Sequence, residues 1–212
     1  MPHTTYGLLK AIRSHTIDIP SAAASVKVGR PNGCNLCHVD QTLAWTARHL
    51  EERYSIPPPE LDEDHTKIST AVLWALKGDA GQRALAAWHL GWEPAVEISG
   101  NHWQAPYLAA LLDDPYLAVR FMARRSLRKL PGFEDFQFDF LGAKAEIDGA
   151  FDRALHIWRN GLASRNASET PGVKTPPVFA ERLLLSPEGT LDQALFDRLK
   201  SERDDKRVWL AE

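Results

Sequence analysis

One short stretch of the chain carries residue types that can do chemistry at a meaningful spacing. Cys34-Asn35-Leu36-Cys37-His38 matches C-x-x-C-H, the attachment pattern of c-type haem. Two thiols three residues apart can each add to one vinyl group of a single porphyrin. The adjacent imidazole then lies under the iron as its proximal axial ligand. Cys34 and Cys37 are the only cysteines in the sequence, so no disulfide framework can be built.

Other readings of the same residues stay open. A structural zinc site needs about four ligands; three are local, and His49 or His65 can supply a fourth. A thioredoxin-like dithiol needs a preceding strand and a βαβ context, which the sequence lacks. The cysteines can also be unmodified parts of a scaffold. If haem is present, the sixth ligand decides between electron transfer and ligand chemistry. Methionine offers only the terminal Met1 and Met122, which falls in a helical repeat beside Arg120 and Arg124. Among the histidines, His15 is the best candidate, because it lies in a Gly/Pro/Ser-rich stretch outside the repeats; an exposed loop histidine is the alternative. His89 and His102 read as repeat-helix or loop residues, and His156, beside Trp158, as a packing position. The tryptophans Trp45, Trp74, Trp88, Trp92 and Trp103 read as core, and Arg124-Arg125 and Arg128-Lys129 as a solvated helix face.

The elements that must position the motif read as helices. A short helix is expected around Tyr6–Arg13, then Ile17-Asp18-Ile19-Pro20, and Pro31-Asn32-Gly33 predicts a turn just before the first cysteine. Leu43, Ala47, Leu50 and Tyr54 recur at helical spacing, Ile56-Pro57-Pro58-Pro59 stops that helix, and the acidic run 60–64 reads as a loop. Residues 66–131 read as four helices broken at Gly78-Asp79, Gly91–Gly100 and Asp113-Asp114-Pro115. Arg83, Ala86 and Leu90 recur as Arg120, Ala123 and Leu127, a period of 37 residues that resembles HEAT repeats. Phe133 to Phe140 reads as extended, Ala143 to Asn160 as helix, 161–177 as a linker, Leu191 to about Arg203 as helix, and Arg207 to Leu210 as an extended tail. The expected fold is mainly α: a haem c-binding segment (1–60), a short HEAT-like α-solenoid (61–160), and a linker with C-terminal helix (161–212).

Composition bounds the partners. With 25 Lys+Arg against 28 Asp+Glu the formal net charge is -3, without the basic excess of a nucleic-acid-binding protein. A hydrophobic content of 44% excludes wholesale disorder, and no stretch approaches the roughly 20 apolar residues of a membrane span. The first ten residues hold no charged start followed by an apolar run, so read literally the start is cytoplasmic. Haem c attachment calls instead for a periplasmic or otherwise exported chain.

Several stretches together resemble a known group: Met1-Pro2 with Thr4-Thr5-Tyr6, Arg13-Ser14-His15 leading to Pro20, Pro31 through Asp40, Ala44-Trp45, and Arg203-Asp204-Asp205. The chain resembles the C-terminal portion of exported bacterial multihaem cytochromes c that carry HEAT-like repeats behind their last haem site. The resemblance is specific over residues 1–54 and looser in the repeats. It implies a bis-histidine haem working in electron transfer, with His38 proximal and His15 distal, facing a redox protein or a neighbouring haem domain. It also implies that Met1-Pro2 follows an upstream haem motif, so that residue 1 is internal to a longer exported protein. Catalytic haems in related nitrite and hydroxylamine enzymes need an open iron position and further residues, so the resemblance carries no catalytic activity over. The rival expectation is a haem-free HEAT-like interaction scaffold whose cysteines are vestigial or bind zinc. A third is a fragment of a multihaem oxidoreductase.

Overall fold

The computed structural model describes residues 1–7, 9–15, 19–168, 180–186 and 189–206, with the side chains of 163–168 left aside. The chain opens with an antiparallel hairpin, β1 (Thr5–Tyr6) paired with β2 (Ala11–Ile12), where a helix over Tyr6–Arg13 was expected. Gly7 is a poor helix former, and its N–H closes a turn on the Lys10 carbonyl (2.6 Å) while β-prone Thr5, Tyr6 and Ile12 take the strands.

Capping residues set where the next helices begin. These are α1 (Ala22–Val28), α2 (Gly33–Cys37), α3 (Leu43–Tyr54), α4 (Glu63–Lys67), α5 (Thr70–Lys77) and α6 (Ala80–His89). Ser21, Asn32, Thr42, Asp62, Ser69 and Asp79 each accept the backbone N–H of the third residue on, satisfying a donor that the helix itself leaves unpaired. The acidic run expected as loop therefore starts a helix: Asp62 caps it and Glu63 and Asp64 stand in its first turn, where the macrodipole favours them. Tyr54, expected on the apolar face of α3, is 70% exposed, while Leu43, Ala47 and Leu50 are buried.

Next come α7 (Glu93–Ser99), α8 (Ala105–Ala110) followed by a 3-10 turn (Leu111–Asp113), and α9 (Leu117–Leu127). Helix α7 lies inside the expected break at Gly91–Gly100, started by Glu93 and a first-turn Pro94. Within the pairs α5 packs on α6 and α8 on α9; between them α6 packs on α9 and α5 on α8. Gly91 permits the closest approach, since a Cβ there would stand 2.5 Å from Ser126 Cβ. Ala86, Leu90, Ala123 and Leu127 are all buried.

Phe133 to Phe140 forms no strand: turns at Glu134-Asp135 and at Phe140 flank an irregular stretch, and Phe133, Phe136 and Phe138 are buried. The helix expected over Ala143–Asn160 is broken at Gly149 into α10 (Lys144–Asp148) and α11 (Ala150–Ser168). Helix α11 runs past Asn160 into the stretch expected as linker; the rest of that linker lies outside the described residues. So do residues 16–18 and the tail at Arg207–Leu210. His156, expected to pack, is exposed and bonded to Asn160 (3.0 Å). Helix α12 (Gln193–Ser201), capped by Asp192, packs on α5.

One core joins the three sequence segments: Leu36 and Val39 share it with Leu76, Leu108, Leu127, Phe196 and Leu199. A smaller cluster of Ala22, Leu43 and Ala47, with Leu61 against it, sits under α1 and α3. Inside the main core Arg83 and Asp114, neither exposed, form an ion pair at 2.6 Å. Arg83 also donates to the carbonyls of Gly78 (2.7 Å) and Asp204 (2.8 Å), which fastens the C-terminal segment to α6. The molecule is mainly helical, and among the described residues no helix is long and apolar enough to cross a membrane.

Candidate functional site

The C-x-x-C-H motif occupies α2 and its C-cap. Asn32, in extended conformation (φ -96°, ψ 151°), starts the helix, and His38 ends it by donating its N–H to the Cys34 carbonyl (2.8 Å). A five-residue helix has little stability of its own. Its inner face supplies the hold. Asn35 is 0% exposed, and its side-chain oxygen accepts from Asn32 Nδ2 (2.9 Å) and Thr46 Oγ1 (2.8 Å). Its amide nitrogen donates to the carbonyls of Gln41 (3.0 Å) and Thr42 (3.3 Å). Leu36 enters the main core, and the Val39 carbonyl accepts from Ser69 Oγ (2.6 Å).

The two x positions of C-x-x-C are thus buried. Cys34, Cys37 and His38 are each only half-buried. Both cysteines are free thiols. Burial pushes the Cys34 thiol up, reinforced by Cys37; burial also raises Cys37, opposed by the Met1 amino group. Both are therefore protonated at neutral pH, the opposite of the activated thiolate that a thioredoxin-like dithiol needs. Among the described residues no three His, Cys, Asp or Glu side chains group as a metal ion would require.

Around the motif the structure sorts the other candidates. The His38 ring stands 4.8 Å from Trp45, and Trp45 stands 4.4 Å from His49. Trp45 belongs to neither hydrophobic cluster, contrary to its reading as core, whereas Trp74 and Trp103 are buried. His49 faces Glu52 (3.5 Å), and His65 pairs with its own helix cap, Asp62 (2.7 Å). His15 is exposed in a bend. Among the described residues no hydrogen bond, ring contact or ion pair joins it to Cys34, Cys37 or His38. Met122 is 0% exposed in the core, consistent with its exclusion as a ligand.

Two features here escaped the sequence reading. Asn35 sits at a position the motif leaves arbitrary, and only the Asn32 cap three residues earlier hinted at a polar contact. The second is His89. It is 0% exposed on α6, with Nδ1 on the Leu85 carbonyl (2.8 Å) and Nε2 accepting the backbone N–H of His3 (3.3 Å). Those partners fix the neutral tautomer with the proton on Nδ1, and burial holds the imidazole down at about 4.

The donor set fits a covalently tethered haem: two protonated thiols on one helix face, an adjacent imidazole, and a rigid inner face that keeps all three outward. Comparison with protein-family models, with curated proteins and with solved structures gives no match to this chain.

Proposed function

We propose that the chain is an electron-transfer module of the c-type cytochrome kind, with one haem held covalently by Cys34 and Cys37 and ligated by His38. One observation carries the reading: a short helix buries its two intervening residues and turns both thiols and the imidazole outward. The haem, when bound, supplies a one-electron iron centre. The chain's part is to tether it through two thioethers, orient the imidazole of His38 and limit water at the attached face. His15 is the proposed sixth ligand on the resemblance described above, and a second imidazole would leave no open position for substrate. We read the stacked pairs α5/α6 and α8/α9 as two HEAT-like units, because Ala86/Leu90 and Ala123/Leu127 are buried at equivalent positions. In this reading the module works in an exported compartment against a redox protein or a neighbouring haem domain, as part of a longer multihaem chain.

The test is co-expression of an exported form with cytochrome c maturation factors, followed by a pyridine haemochrome spectrum and an intact mass. The expected result is one covalent haem, lost in Cys34→Ser/Cys37→Ser; absence of covalent haem refutes the proposal. A second reading, a haem-free HEAT-like interaction scaffold, is favoured by the continuous apolar core that the two helix pairs share with the motif segment. It predicts unmodified mass in natively sourced protein.

A further inference from the structure

Residues 1–3 run from the motif helix to a cluster of aromatic and basic side chains on α6, α7 and α9. Pro2 lies beside α2, its Cγ 3.6 Å from where a Cβ of Gly33 would stand. At His3 the backbone is fixed by His89, and the ring packs on Trp88 (5.4 Å) and edge-on to Trp92 (5.5 Å). The Arg125 guanidinium lies over Trp88, 4.0 Å from its centroid.

Two ring nitrogens in this cluster are buried without a partner: Nδ1 of His3 and Nε1 of Trp88. An indole N–H can only donate, and a buried donor left unpaired is destabilising. The cluster lacks an acceptor. Its charge points the same way. Arg13, whose Nε donates to the Met1 carbonyl (3.0 Å), and Arg125 both bear on His3. Arg125 is itself partly desolvated, and among the described residues no carboxylate forms an ion pair with it. A carboxylate is one anionic acceptor that satisfies a guanidinium and an indole N–H together.

We propose that His3, Trp88 and Arg125 form a carboxylate-binding pocket whose ligand is the propionate edge of the haem held by Cys34 and Cys37. The inference rests on the haem reading. A porphyrin carries its two carboxylates on the edge away from the vinyl groups that the thiols take. Pro2 lies against α2 and the Met1 amino group bears on Cys37, so the segment that ends at His3 links the pocket to the motif. Because the orphaned nitrogens are buried, their acceptor must come from a group seated close in.

The experiment uses the exported, matured holoprotein as wild type, Arg125→Gln, Arg125→Lys, Trp88→Phe and, as a charge-matched control, Arg128→Gln. Arg128 lies on the same helix end but is spent on the Glu134 carbonyl (3.0 Å). All are assayed by haemochrome and by midpoint potential at fixed pH. Loss of the guanidinium leaves a propionate charge unneutralised beside the iron, which disfavours the reduced state. The potential therefore falls in Arg125→Gln, falls less in Arg125→Lys and Trp88→Phe, and holds in Arg128→Gln. Equal shifts in Arg125→Gln and Arg128→Gln, or none in either, overturn the pocket while leaving the haem reading intact. No covalent haem in the wild type overturns both. If Arg125→Gln fails to fold, the same comparison is made with Arg125→Lys and Trp88→Phe against Arg128→Gln.

Discussion

His89 makes the fold acid-sensitive by a calculable amount. It is fully buried and neutral, with its pKa held at about 4 against an ordinary 6.5, chiefly by desolvation. The folded-state value lies below the unfolded one, so unfolding takes up a proton between them. The contribution is full above about pH 7 and is lost as the pH falls from 6.5 towards 4. A shift of this size is worth about 3 kcal/mol in the acid limit, and about 2 kcal/mol is already gone at pH 5. Protonation also removes the acceptor for the His3 N–H, so the N-terminal segment is released from α6 first. His3 adds to the loss, since burial, Arg13 and Arg125 lower its pKa as well. The assay is urea unfolding by tryptophan fluorescence at pH 7 and pH 5, on wild type and His89→Gln. The variant is less stable at pH 7, but its loss between the two pH values is smaller than the wild type's by about 2 kcal/mol. Carboxylate effects are common to both and cancel. An identical loss in the two proteins would refute the reasoning, because no other group in the comparison has changed.

Arg83→Ala leaves Asp114 as an unpaired buried charge and frees the Asp204 segment, so urea unfolding should register a loss of about 3–5 kcal/mol. Asn35→Ala leaves the buried Thr46 hydroxyl without its acceptor and takes one of two donors from the Gln41 and Thr42 carbonyls; a cost of about 1–3 kcal/mol is expected, with lower yield of covalent haem at equal protein recovery. Gly91→Ala drives a methyl into Ser126 and should cost about 1–3 kcal/mol by thermal unfolding. Because burial raises both thiols, iodoacetamide should modify Cys34 and Cys37 in the haem-free protein slowly at pH 7, with the rate still climbing at a pH where that of an ordinary thiol has levelled off. Fast labelling at pH 7 contradicts the burial argument.

What could be read from the residues follows the range over which each interaction acts. The C-x-x-C-H motif and the capped helices are local: a donor and its cap three residues apart leave a visible pattern, as Asn32 with Asn35 and Asp79 with Gln82 do. The start of the chain was misread because Gly7 and a turn outweigh a Leu-Leu pair. The anchorage of the motif was hidden for another reason. Asn35 finds its partners at Gln41, Thr42 and Thr46, and His3 finds His89 from 86 residues away. A surface-type residue and a core hub look alike until the chain is folded. Trp45 was likewise misplaced, because helical spacing describes a face and not what covers it.

The repeated sequence pattern illustrates the same limit more sharply. Arg83 and Arg120 occupy equivalent sequence positions, yet only Arg83 is fully buried and paired. Its acid, Asp114, stands 31 residues further on, in the connection between α8 and α9. The same step from Arg120 arrives at Phe151, which has no charge to offer. Arg120 Nε is accordingly buried without a partner, while Phe151 turns its ring to Phe196 of α12 (6.0 Å). The ion pair that ties the first unit to the second thus has no successor, and an aromatic contact with the C-terminal helix replaces it. The C-terminal segment returns to α6, where the Asp204 carbonyl accepts from Arg83. That same helix holds His89 and, through it, the N-terminal segment beside the two cysteines. One helix, α6, therefore holds both the N-terminal segment beside the motif, through His89, and the C-terminal segment at Asp204, through Arg83.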